Sequence, residues 1–260
     1  METKKVAVIG GGAAGFFAAI SVKENHPSHQ VTLFEKTSKV LSKVRISGGG
    51  RCNVTHDCSD IPTLCEAYPR GGKKLKSLFY QFSKSDTVDW FESRGVPLKT
   101  EKDGRMFPKS NNSQSIIDCL ESEIARLRVT LKLGQTIERI DEDGIGWKLN
   151  FKDQPYQKFD MVIIATGGSP KITGFDWLKN LGHNIIPPVP SLFTFNMPNE
   201  PIKKLMGLVV ENARVMIKKS KIKTKFSRTP VLSPLVTMIQ ILLMTKGSLR
   251  KRLTSYKSPT

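Results

Sequence analysis

Acidic residues run out early in this chain. The last is Glu211, and residues 212–260 hold 12 Lys and Arg with no Asp or Glu. Before that tail 29 basic side chains face 23 acidic ones, so most of the net charge of +18 belongs to the tail rather than to a binding face. Nucleic acid is therefore not the expected partner, and a small-molecule substrate is. Cysteine is scarce as well: Cys52, Cys58, Cys65 and Cys119 include no CxxC pair, which excludes zinc-ligand spacing and a disulfide framework. No Ser, Cys or His is set in a pattern for nucleophilic catalysis. No apolar run is long enough to cross a bilayer, because the longest (231–244) is short and contains Pro234. The N-terminus runs straight into a strand pattern without a secretory h-region, so a cytoplasmic protein is expected. The oligomeric state is not readable from the sequence.

What remains points to an α/β fold. KKVAVIGGGAAGFFAAISV (4–22) reads as a buried strand, a glycine turn and an Ala-rich helix, and QVTLFEK (30–36) as a second strand ending on an acid. Apolar residues recur at helical spacing across 73–93. Residues 113–128 make a cleaner amphipathic helix with Ser113 as the expected N-cap. Residues 129–151 read as strands joined by Asp-Gly and Gly-rich turns, and DMVIIATGG (160–168) as a further buried strand with a glycine exit. IIPPVPSLFTFNMP (185–198) is punctuated by proline and reads as a crossing between domains, while 211–222 alternates like a strand.

Gly10-x-Gly12-x-x-Gly15 lies between strand and helix, the context that makes this pattern informative. Gly10 permits the tight turn, Gly12 lets backbone approach a pyrophosphate, and Gly15 allows close helix–strand packing. Glu35, 20 residues after Gly15, is placed to accept hydrogen bonds from ribose hydroxyls. These residues do not separate FAD from NAD.

Three further stretches narrow the choice. ISGGGRCNVTH (46–56), DGRMFPKSNNSQSIIDCL (103–120) and ATGGSPKITG (165–174), with LGHNIIPPVPSLFTF (181–195), resemble the BaiN-like family of FAD-dependent flavoproteins. Its members are labelled NAD(P)/FAD-dependent oxidoreductases, and some aminoacetone oxidases. The resemblance runs from the N-terminus to about residue 222. It implies a Rossmann-like FAD-binding domain with the start of an inserted β-rich domain: 1–188 for the first, 189–224 for the second, and 225–260 as an atypical basic tail. It also implies FAD as cofactor, NAD(P)H as a possible electron donor, and a cofactor site made of Gly10, Gly12, Ala13, Ala14, Gly15, Glu35, Lys36, Gly49, Gly50, Arg51, Asn53, Ile137, Thr166, Gly167 and Gly168. The sequence departs from the family in LSKVRI (41–46) and in a shortened turn at 169–176. The Gly-rich segment with which such proteins return to the flavin has no counterpart before Thr260. A shifted reading frame accounts for both the missing return and the acid-free tail, which makes a truncated, inactive fragment the alternative reading. A flavin-dependent RNA-associated protein is a weaker one.

Within SGGGRCN, Gly48–Gly50 are expected to let the main chain approach the cofactor. Arg51 has two readings: a partner for phosphate or for charge on the reduced flavin, or half of a structural ion pair. Its place beside three glycines favours the first. Asn53 either closes an Asx turn or donates to the ring. Cys52 lacks a resolving partner and reads as a packing residue. For His56, His183 and Arg105, loop or packing roles come first.

Overall fold

Val6–Ile9 is apolar at every position because both faces of the strand are covered. The computed structural model describes residues 2–68, 71–169, 171–188, 199, 201, 214–216 and 223–225. In chain order the elements are β1 (Lys5–Ile9), α1 (Ala13–Asn25), β2 (Gln30–Phe34), α2 (Ser42–Gly50), β3 (Thr55–His56), α3 (Ile61–Glu66), α4 (Gly72–Phe79), α5 (Lys84–Glu92), β4 (Leu98–Thr100), β5 (Arg105–Pro108) and α6 (Gln114–Arg126). There follow β6 (Thr130–Lys132), β7 (Ile137–Asp143), β8 (Gly146–Phe151), β9 (Gln157–Phe159), β10 (Met161–Ile164), a 3₁₀ turn (Ile172–Phe175), α7 (Asp176–Asn180), β11 (Arg214–Met216) and β12 (Lys223–Lys225).

The described chain up to residue 185 forms one compact unit, and residues 186–231 belong to a second. Of the second, the pairing of β11 with β12 in antiparallel register is described. The basic tail beyond residue 225 lies outside the described residues, as does most of the Pro-punctuated stretch.

In the first unit β10, β1, β2 and β6 make a parallel sheet in that order. The chain moves outward from β1 through β2 to β6, then returns to the other side of β1 as β10. Open α/β sheets bind ligands at such a reversal, beyond the carboxyl ends of the strands, which here are those of β1 and β10.

One face of the sheet presents Val6, Val8, Val31 and Leu33 to α1 and α6. α1 is buried nearly all round, from Ala13 to Ile20, which explains its alanine-rich, unamphipathic sequence. The opposite face, carrying Ala7, Ile9 and Phe34, packs on Ile140, Leu149, Phe151 and Phe159 of the antiparallel β7–β8–β9 sheet. Phe34 anchors that layer, with its ring centroid 5.3 Å from Phe151 and 5.7 Å from Phe159. Burying each such aromatic stabilises by about 2–3 kcal/mol.

Two local expectations change. The helical stretch 73–93 is two helices. Ser83 begins the second with a reciprocal capping box to Asp86, so the S-x-x-D pattern is a helix start inside what reads as one helix. Ser113 does not cap α6 with its side chain; the Asn112 carboxamide oxygen accepts from Gln114 N–H instead, at 2.9 Å. The Asp-Gly turn joining β7 to β8 is as expected.

An ion-pair cluster ties the helices together. Arg94 donates to Glu24 of α1 and to Glu123 of α6 and lies over the Trp90 ring. Hydrogen bonds from Arg126 and then Arg94 hold the mostly buried Glu123 carboxylate below its ordinary range.

At the amino-terminal edge of the sheet His29 is buried, and its Nδ1 has no hydrogen-bond partner. Its ring stacks on His26 at 4.9 Å. Burial, with His26, Lys4 and Lys23 nearby, lowers the His29 pKa, against a smaller opposing pull from Asp160. The unfolded chain therefore takes up a proton that the folded chain refuses. The stability His29 contributes is complete above its ordinary pKa of about 6.5 and is lost as pH falls below it. Urea unfolding at pH 7.5 and 5.5 should show a drop that shrinks in His29→Gln; an equal drop in both proteins rules the mechanism out.

Candidate functional site

Where β1 ends, the backbone is crowded by design. A methyl group on Gly10 (φ +114°) would lie 2.5 Å from the Ala165 carbonyl oxygen, and one on Gly15 would lie 1.8 Å from the Gly10 oxygen. β10's exit, the β1 turn and the first turn of α1 are thus pressed together as the glycine spacing implies. Ala165 N–H donates to Ile9 at 2.8 Å and Gly10 N–H to Phe34 at 2.8 Å, fixing the three strand ends side by side.

Gly12 differs from its neighbours. Its backbone is extended (φ −89°, ψ −179°), and a Cβ there would meet nothing within 4 Å. No side chain caps α1 and no acid lies in its first turn. The first N–H groups of α1 therefore have no capping side chain, and the positive end of the helix dipole lies at Gly12. That geometry fits the pyrophosphate of a dinucleotide.

Glu35 stands at the neighbouring strand end. One carboxylate oxygen accepts from Gly11 N–H at 2.7 Å; the other accepts from Thr37 N–H and Oγ1, each at 2.9 Å. Glu35 is thereby fixed beside the glycine turn. Gly11 makes this possible, since a Cβ would lie 2.9 Å from the Glu35 Cβ. Gly11 and Thr37 were not singled out in the sequence, although Gly11 sits inside the fingerprint. Gly134 and Gln135 hydrogen-bond to Thr37 and Glu35, which brings Ile137 at the start of β7 near this corner. Lys36 is exposed, as are Thr166 and Gly168 after β10, and Gly167 takes φ +73°.

α2 connects this corner to SGGGRCN. At its start Leu41 N–H donates to the Gly11 carbonyl at 2.8 Å. The helix rises about 8 Å before its regular turn ends at Ser47. Gly48, Gly49 and Gly50 then take φ of +57°, +69° and +83°, values that L-residues other than glycine rarely adopt in succession. So the glycines are required by backbone conformation. Only Gly48 is crowded, its hypothetical Cβ 2.8 Å from Phe107; Gly49 faces open space.

The bed beneath this loop is DGRMFP. β5 pairs with β3, Val54 N–H donates to Met106, and the Phe107 ring lies under Gly48 and Arg51. Arg51 is stacked 3.9 Å from the Phe107 centroid, donates through Nε to the Gly48 carbonyl and pairs with Glu101 at 2.5 Å. Its structural ion pair is thus present, and 31% of the side chain stays exposed. Arg105 pairs with Asp103 and Glu101. Ser113 clamps the loop from α6: its N–H donates to Gly50 and its hydroxyl to Arg45. Glu101, Phe107 and Ser113 are loop-supporting residues that local pattern did not reveal.

Cys52 is fully buried at φ +61°, and burial pushes its thiol up to about 11, the protonated and unreactive form. Asn53 is buried beside it. His56 packs against Gly104, with Nε2 3.1 Å from the Asp103 carbonyl. Among the described residues no group of three or more His, Cys, Asp or Glu forms a metal site, and no helix is long and apolar enough to cross a membrane.

Comparison with known proteins identifies the family. A family model described as "HI0933-like protein Rossmann domain" matches residues 4–255. The chain is 27% identical over 210 residues to the 3-dehydro-bile acid delta(4,6)-reductase of Clostridium scindens, covering 78% of this chain and 50% of that protein. It is 26% identical over 216 residues to the ribosomal RNA dihydrouridine synthase of Escherichia coli, covering 80% and 52% respectively. The chain thus spans about half the length of the curated relatives it matches. A flavocytochrome c3 fumarate reductase in an open conformation aligns with a TM-score of 0.48 at 24% identity, over 64% of this chain and 34% of that one. The resemblance found in the motifs therefore stands: the chain belongs to the HI0933-like Rossmann family of FAD flavoproteins.

Proposed function

We propose that this chain binds FAD in the crevice at the carboxyl ends of β1, β2 and β10 and serves a flavin-dependent oxidoreductase. The observation that carries this reading is the uncapped start of α1 at Gly12, facing open space beside the fixed Glu35 carboxylate. In it, the Ala13 and Ala14 N–H groups bind the pyrophosphate, while Glu35 exchanges a backbone partner for ribose hydroxyls or shares its oxygens between them. The segment Thr166–Gly168 and the loop Gly49–Arg51 border the rest of the nucleotide. When bound, the flavin supplies the hydride-transferring ring; the protein supplies position, charge and exclusion of water. In the proposed reaction hydride passes between that ring and a small organic substrate or NAD(P)H. The name of the bile acid relative, a reductase, is in keeping with this.

Gly12→Ala separates this role from a structural one. The backbone there suits any residue and the added methyl meets no protein atom, so stability should change by less than about 0.5 kcal/mol. FAD affinity should fall at least about tenfold, because the methyl occupies the pyrophosphate's place. Titration followed by flavin fluorescence and urea unfolding give the two numbers. Unchanged affinity, or no FAD binding by the parent chain, refutes the proposal.

A second reading keeps the flavin site and makes the substrate RNA. It is favoured by the Escherichia coli relative, named as a ribosomal RNA dihydrouridine synthase, and by the acid-free basic tail. It requires the full chain to bind structured ribosomal RNA fragments, with affinity falling steeply as salt rises, and to prefer them to heparin. Equal affinity for heparin reduces the tail to a nonspecific polycation.

A further inference from the structure

Glu101 touches both arginines flanking the Phe107 ring. One oxygen takes Arg51 at 2.5 Å and the other Arg105 at 3.3 Å, and Arg105 is also held by Asp103 at 2.8 Å. Arg105 has a second acid in Asp103, and Glu101 is the acid paired with Arg51. The two arginines lie 3.9 and 5.3 Å from the ring centroid, and the same ring crowds Gly48. The glycine loop and its arginine thus rest on one aromatic platform, with Glu101 paired to that arginine.

We infer that Glu101 is a positioning residue for Arg51: it holds the guanidinium over Phe107 and sets how much positive charge the glycine loop offers to an anionic nucleotide. This rests on the reading that the loop borders the bound dinucleotide. The partly exposed side chains of the pair, 31% and 28%, leave their attraction modest and open to salt. A diphosphate ligand competes with Glu101 for Arg51 and must pull the arginine partly away from it. Removing the Glu101 charge while keeping its shape removes that competitor. Riboflavin, which has the ring and no phosphate, offers nothing to compete with.

Two measurements on the full chain test this. In the ligand-free protein, phenylglyoxal labelling of Arg51 read by mass spectrometry should be several-fold faster in Glu101→Gln than in the parent, with Glu101→Asp close to the parent. In titrations at low salt, Glu101→Gln should bind FAD about three- to tenfold more tightly and riboflavin unchanged, the gain fading at high salt. Equal labelling rates overturn the inference, whether or not FAD binds. A Glu101→Gln variant that labels faster but binds FAD no better, or that tightens riboflavin equally, overturns the charge-setting role. A parent chain that binds no FAD, with Arg51 still released by Glu101→Gln, refutes the flavin reading and leaves the grip of Glu101 on Arg51 standing.

Discussion

The site depends on a steric constraint: at the carboxyl end of β1 there is no room for a methyl group. Gly10 lies against the Ala165 carbonyl and Gly15 against the Gly10 carbonyl. Only because these atoms can approach does α1 begin directly over the sheet, with β2 and β10 ending on either side. The free N–H groups of the helix, the Glu35 carboxylate and the Ala-Thr-Gly-Gly exit then fall around one crevice. Any side chain at Gly10 or Gly15 would push the helix outward and take its dipole away from that point.

α2 extends the same constraint to a second place. It starts from the Gly11 carbonyl and ends in a run of left-handed glycines resting on Phe107. The two glycine loops are therefore not independent features. They are the ends of one short strut whose helical rise is about 8 Å. The second loop needs three glycines in sequence because each takes a left-handed φ, while Cys52, two residues beyond them, is buried and inert.

How much of this was legible follows from sequence distance. The strand–glycine–helix unit, Glu35, and the Asp-Gly hairpin between β7 and β8 are written in local periodicity and turn chemistry, and they were readable. SGGGRCN and DGRMFP were each recognisable as unusual. Nothing local said that one is the bed of the other, because the β3–β5 pairing joins residues about fifty positions apart. For the same reason the supporting roles of Glu101, Phe107 and Ser113 are not readable locally; an ion pair is one of the two sequence readings of Arg51, but its partner Glu101 is not. The Ser83 capping box lies within a continuous apolar pattern that reads as one helix. Ser113 looked like a cap, but its hydroxyl was drawn to the Arg45 carbonyl across the fold.

The central claim is that both glycine loops face one ligand. Amide hydrogen exchange on the full chain, with and without saturating FAD, addresses it directly. The account predicts that segments 11–15 and 48–51 gain protection together, at the same FAD concentration. Protection of 11–15 alone, or of neither, would contradict it.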